Sequence, residues 1–162
     1  MTSKGEKLIC PACQKEWELT PLGEIKALNG ETEFNSPPEW FEWERKMVKD
    51  EIVNQGYFFE SSVDVYSLPN TNKFISLGKA TLTHKEKSGF TISGRYNNED
   101  FIISRPVAGM YGVHIEFDYC YIRPEDCFDI STENDSFYCY PLHRTDVVTK
   151  LAFATEILYQ RE

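Results

Sequence analysis

Between residues 57 and 141 apolar side chains recur at every second position in seven short stretches, each closed by a turn, and this alternation limits the possible folds more than any other feature. A strand sends successive side chains to opposite faces, so the pattern predicts a sheet with one face packed and the other wet. The stretches fall at 57 to 67, 74 to 83, 88 to 95, 100 to 105, 111 to 119, 126 to 131 and 136 to 141. Turn residues separate them, among them Pro69-Asn70-Thr71-Asn72, Pro124-Glu125 and the segments 85 to 88, 96 to 99, 106 to 110 and 133 to 135. In the fifth stretch, Tyr111, Val113, Ile115 and Phe117 should face inward and His114 outward.

Two helical patterns flank the strands. Ser36 ahead of Pro37-Pro38 suits an N-cap with proline in the first turn, and predicts a helix over 37–55 that Gly56 ends. Trp40, Phe41, Trp43, Met47, Val48 and Ile52 gather on one broad side of it, with Glu39, Glu42 and Glu44 early and Lys46 and Lys49 late, as the helix dipole favours. The chain closes with a helix over 146–160, striped by Val147, Val148, Leu151, Ala154, Thr155, Leu158 and Tyr159. Seven antiparallel strands twist and curl, and a terminal helix with such a stripe can seal the open end. The expected fold is mainly β: a seven-stranded antiparallel barrel closed by a C-terminal helix and preceded by one amphipathic helix.

Residues 1 to 30 read as a separate small β unit. Cys10-Pro11-Ala12-Cys13 leads into Trp17-Glu18-Leu19, a turn at Pro21 and Gly23, and Ile25-Lys26-Ala27-Leu28, closed by Asn29-Gly30. A Cys-x-x-Cys turn ahead of a strand has the form of a zinc-ribbon knuckle, which makes Cys10 and Cys13 candidate metal ligands. Tetrahedral zinc takes four ligands, and this pair supplies two. The expectation is an incomplete zinc-ribbon-like hairpin, with zinc held only in a longer parent chain or across a dimer. A zinc or thiol enzyme using the pair ranks below this, because a reactive dithiol ordinarily opens a helix, whereas the residues after Cys13 alternate like a strand. The expected segments are 1–30, the hairpin; 36–56, the connecting helix; and 57–162, the barrel with its helix.

A formal net charge of -9 repels phosphate backbones, and no dense basic run reverses it, so nucleic acid is not an expected partner. Five cysteines at irregular spacing point to a reducing cytoplasm, and Cys120, Cys127 and Cys139 read as small buried hydrophobes. No apolar run reaches the ~20 residues of a spanning helix, so any membrane association would be peripheral, at the inner face. His84 reads as a solvated turn residue, and the pairs Asp126/Asp129 and Glu133/Asp135 as solvated edges, without calcium-loop spacing.

Seven alternating strands followed by one helix resemble the pleckstrin-homology (PH) or GRAM-like architecture. The succession of Cys10-Pro11-Ala12-Cys13 with Trp17, the segment 38–45 (Pro-Glu-Trp-Phe-Glu-Trp-Glu-Arg), Ser67-Leu68-Pro69-Asn70, Leu82-Thr83-His84 and the segment 152–159 is similar to the C-terminal extension of bacterial acyltransferases of the 1-acylglycerol-3-phosphate acyltransferase type. The resemblance implies a non-catalytic accessory or docking module in phospholipid metabolism, partnered by the catalytic domain of a parent acyltransferase or by another protein. Such enzymes use a His followed five positions later by an Asp, the imidazole acting as base and the carboxylate orienting it. Here the fifth residue after His84 is Gly89, after His114 Tyr119, and after His143 Val148, so the catalytic pair is missing. A free-standing PH-like module that binds protein or lipid is the alternative expectation.

Overall fold

The computed structural model describes residues 2–10, 14–29, 34–69, 73–143 and 147–162, and the chain divides into two compact units, Met1–Met47 and Val48–Glu162. The first contains a four-stranded antiparallel meander, β1 (Thr2–Lys4), β2 (Lys7–Ile9), β3 (Glu16–Leu19) and β4 (Ile25–Ala27), paired in that order. Gly5, at φ +62, makes the β1–β2 turn and Gly23, at φ +83, the turn before β4. Helix α1 (Pro37–Glu51) starts as expected: Ser36 Oγ accepts from the Glu39 N–H at 3.4 Å, and Glu39 Oε2 reaches back to the Asn35 N–H at 2.8 Å. Trp17, Ile25, Phe34 and Trp40 form the small core of this unit, with the two indoles edge to face at 4.7 Å. Phe41, Trp43 and Met47, expected on the same apolar side, are about half exposed.

In the second unit α1 passes into a π-turn (Ile52–Gly56) that Gly56 ends at φ +74. Seven strands follow: β5 (Phe58–Ser67), β6 (Ile75–Lys85), β7 (Gly89–Tyr96), β8 (Glu99–Arg105), β9 (His114–Glu116), β10 (Cys127–Ser131) and β11 (Ser136–Pro141). They form one antiparallel sheet in the order β8-β7-β6-β5-β11-β10-β9. The first strand therefore lies between the second and the last, with Val65 opposite Cys139 on one side and Gly78 on the other. Beyond Val65 the register slips, so that Tyr66 faces Ser76 and Leu77 is left over; Gly78, at φ +82, supplies the left-handed backbone of this bulge and bends the pair.

The expected closed barrel is not formed. Among the described residues β8 and β9 are the two free edges of an open sheet. The fifth strand is shorter than its pattern suggests, three residues in place of nine, because Pro106 and the 3-10 turn Val107–Gly109 carry the chain away from β8 and Asp118 turns it at φ +49 just after β9. Tyr111 and Phe117, expected inside, are consequently exposed.

Helix α2 (Val148–Arg161) packs on the sheet through Val148 and Leu151, which join Val63, Val65, Leu82, Phe90, Ile92, Phe128, Ile130 and Cys139 in the main core. Its Phe153, Ala154, Ile157 and Leu158 enter a second cluster with Val48, Ile52, Tyr57 and Val107. Because it is covered on two sides, α2 buries Phe153 and Ile157 in addition to most of the expected stripe, while Tyr159 stays exposed. Two ion pairs tie its ends: Lys150 Nζ to Glu51 at 2.7 Å and Arg161 Nη1 to Glu86 at 3.1 Å. No helix among the described residues is long and apolar enough to cross a membrane.

Candidate functional site

A groove of about 700 Å³ opens where the two sheet edges fail to meet. Arg105 at the end of β8, the connection through Met110, Tyr111, Gly112 and Val113, His114 at the start of β9, Asp129 and Ser131 of β10, and Glu156 of α2 line it. The Arg105 Nη2 donates to the Gly109 carbonyl at 3.0 Å, which holds the connection against β8, while its Nε is buried with no hydrogen-bond partner. Opposite, the exposed His114 Nε2 lies 3.1 Å from Glu116 Oε1. Burial raises the Asp129 carboxyl above its ordinary value, with His114 working against the shift and Glu116 adding to it. The groove thus offers a guanidinium on one wall, carboxyls and an imidazole on the others, and an exposed phenol, Tyr111, at the rim. Such a surface can bind a polar or zwitterionic segment.

A second cluster covers the outer face of β10 and β11. The segment 117–126 folds back over that face and is held by Arg123. The guanidinium bonds Asp64 Oδ2 of β5 through Nη1 at 2.9 Å, sits 2.9 Å from Glu125 Oε2 through Nε, and stacks 4.4 Å above the Tyr140 ring. Tyr119 lies parallel to Tyr138 at 5.3 Å, and Phe74 stands edge-on to Tyr138 at 5.2 Å. Under this cover Cys127 is fully buried, and desolvation pushes its thiol up to about 11; Cys139, on the core face, is shifted up as well. Burial and the upward shift both disfavour the reactive thiolate. Cys120, expected to be buried with them, is exposed on the covering segment.

His84 is corrected from a turn to the core. Strand β6 runs on to Lys85, so the alternation through Ala80 and Leu82 carries His84 inward, where it is 1% exposed. Its ring stacks on Phe90, and Nδ1 lies 3.0 Å from Tyr57 Oη. Burial lowers its pKa to about 3, so it is neutral at ordinary pH. The acidic pairs are not simply solvated either: Asp126 accepts from the Asp118 N–H, and Asp135 bonds the Ser67 hydroxyl and the Ser136 N–H.

Of the two candidate metal ligands, Cys10 is half-buried at the end of β2, and Cys13 lies outside the described residues. The Cys10 carbonyl accepts from the Gln14 N–H at 2.8 Å, its own N–H donates to the Lys15 carbonyl at 3.0 Å, and Gln14 takes φ +60. Among the described residues no three His, Cys, Asp or Glu side chains gather as a metal site requires. The two thiols alone would fill half of a tetrahedral zinc set, so no chemistry is assigned to a metal here. Sequence reasoning passed over Arg105 and Arg123, the cations that organise both clusters, since lone arginines in irregular segments carry no periodic signal. No protein-family model, curated protein or solved structure matches the chain.

Proposed function

We propose that this chain is a non-catalytic docking module built on a PH/GRAM-like β domain, of the kind that accompanies a glycerophospholipid acyltransferase of the 1-acylglycerol-3-phosphate type. The observation that carries the reading is the strand order. The first strand sits in the middle, a three-strand meander extends to one side, the last three strands extend to the other, and a terminal helix packs on the same core. This order supports the PH-like reading. A small β unit precedes it in the sequence, and the Cys10-Pro11-Ala12-Cys13 spacing there supports a ribbon-like reading of that unit. The histidines fit a non-catalytic role: His84 is sealed in the core, and neither His114 nor His143 is followed five positions later by an acid.

On this reading the module binds the catalytic domain or positions it at the inner face of the membrane. Size-exclusion chromatography of the purified chain mixed with the acyltransferase catalytic domain encoded in the same genome tests it, and a co-eluting complex is expected. Separate elution, with the chain binding neither that domain nor anionic vesicles, would overturn it.

A second reading, a free-standing binding module, draws on the groove between Arg105 and His114, where the buried Nε of Arg105 has no hydrogen-bond partner. It predicts that Arg105→Ala removes partner binding while the sheet still folds.

A further inference from the structure

We propose that strand β8 is a homodimer edge, pairing antiparallel with the β8 of a second copy about a two-fold axis at Ile102. The inference does not depend on the PH-like reading. Strand β7 and strand β8 are joined by the two-residue turn Asn97-Asn98, both at positive φ (49° and 66°), and Tyr96 faces Glu99 across it. In a two-residue turn of this kind the flanking pair exchanges both backbone hydrogen bonds, and bonded pairs alternate with non-bonded ones along the ladder. Counting from Tyr96 and Glu99, the bonded pairs to β7 use Glu99, Phe101, Ile103 and Arg105. Asp100, Ile102 and Ser104 therefore point their N–H and C=O groups away from the sheet, and no strand among the described residues receives them.

The side chains select a single register. With the two-fold axis at Ile102, Ile102 meets its own copy, Asp100 meets Ser104 and Glu99 meets Arg105 of opposite charge. Sliding the axis to Asp100 sets two carboxylates face to face, and moving it to Phe101 sets Asp100 against Ile102 and Glu99 against Ile103 with no charge pair. Moving it to Ile103 or Ser104 brings Pro106, which has no N–H, opposite Asp100 or Ile102. Ile102 is 72% exposed in mid-strand, where edge strands commonly carry a charge or proline to prevent such pairing. Its self-pairing would cover this side chain and satisfy six backbone groups on each copy. The other free edge, β9, has three residues and offers no comparable ladder. These features favour a second copy over an unrelated strand, because the complementarity is that of β8 to itself.

Sedimentation equilibrium of the full chain should give a mass rising with concentration to twice that of one chain. Ile102→Pro deletes an outward donor that β7 does not use, so it should fold with an unchanged circular dichroism spectrum and remain monomeric. Ile102→Lys should be monomeric for a different reason, an exposed charge at the axis, and the control Phe117→Ser should still dimerise. In a Cys120→Ser background, Ile102→Cys should form a disulfide-linked dimer on mild oxidation, because facing Cα atoms of a bonded pair lie about 5.5 Å apart. Ser104→Cys in the same background should not, since it faces Asp100. A wild-type monomer at every concentration, a dimer that survives both Ile102→Pro and Ile102→Lys, or equal cross-linking at positions 102 and 104 would each overturn the proposal.

Discussion

The imidazole of His84 lies flat on the ring of Phe90, centroids 3.9 Å apart and planes within 3°, in the interior of the second unit. A histidine in that position can be accommodated only while neutral, which makes the fold sensitive to acid.

Unfolded, His84 would protonate near its ordinary pKa of 6.5, but folded it does so only near 3. Between these values the unfolded chain binds the extra proton, so the contribution is fully present above pH 6.5 and is lost as pH falls toward 3. The slope from this group is up to about 1.4 kcal/mol per pH unit. Urea unfolding at several pH values should show the decline, and His84→Phe combined with Tyr57→Phe should flatten it. An unchanged slope in the double variant would mean that other groups control acid stability.

Gly89, at φ +67, leaves no room for a side chain: a Cβ there would lie 2.2 Å from the Arg105 carbonyl oxygen and 2.9 Å from the Val107 nitrogen. Gly78, at φ +82, meets only open space. Gly78→Ala should cost about 1–2 kcal/mol, from backbone strain alone. Gly89→Ala adds a backbone clash to the same strain and should cost at least ~1 kcal/mol more. Thermal melts of the two variants compare them directly.

Arg123 fastens the segment 117–126 to the outer sheet face through Asp64, Glu125 and Tyr140. Arg123→Ala should lower stability by about 1–3 kcal/mol and open the segment to limited proteolysis. It should also expose Cys127 to thiol reagents, raising the number of rapidly labelled thiols by one. Arg123→Lys should recover only part of the stability, since an ammonium can pair with Asp64 but cannot lie over the Tyr140 ring as a guanidinium does.

Alternation revealed the strands wherever one face is packed and the other wet, as along Ala80, Leu82 and His84 of β6 or Val63 and Val65 of β5. It failed in two physical situations. Where the segment 117–126 covers the outer face, Cys127 and Tyr140 are buried on the side that should be wet, so the sequence shows no clean period. Where Tyr111 and Phe117 continue the pattern of β9, the backbone has already left the sheet, and two apolar residues stand in solvent. Helix ends were easier to read, because Ser36 and Gly56 act locally. The groove could not be read, since Arg105, His114 and Asp129 meet only through the way the open sheet folds.

An acyl-transfer assay on the purified chain, with acyl-CoA or acyl carrier protein as donor and a lysophospholipid as acceptor, tests the proposed non-catalytic role most directly. A chain that melts cooperatively and yields no product above the protein-free blank is the expected result. Turnover proportional to the amount of chain would contradict the proposed non-catalytic role.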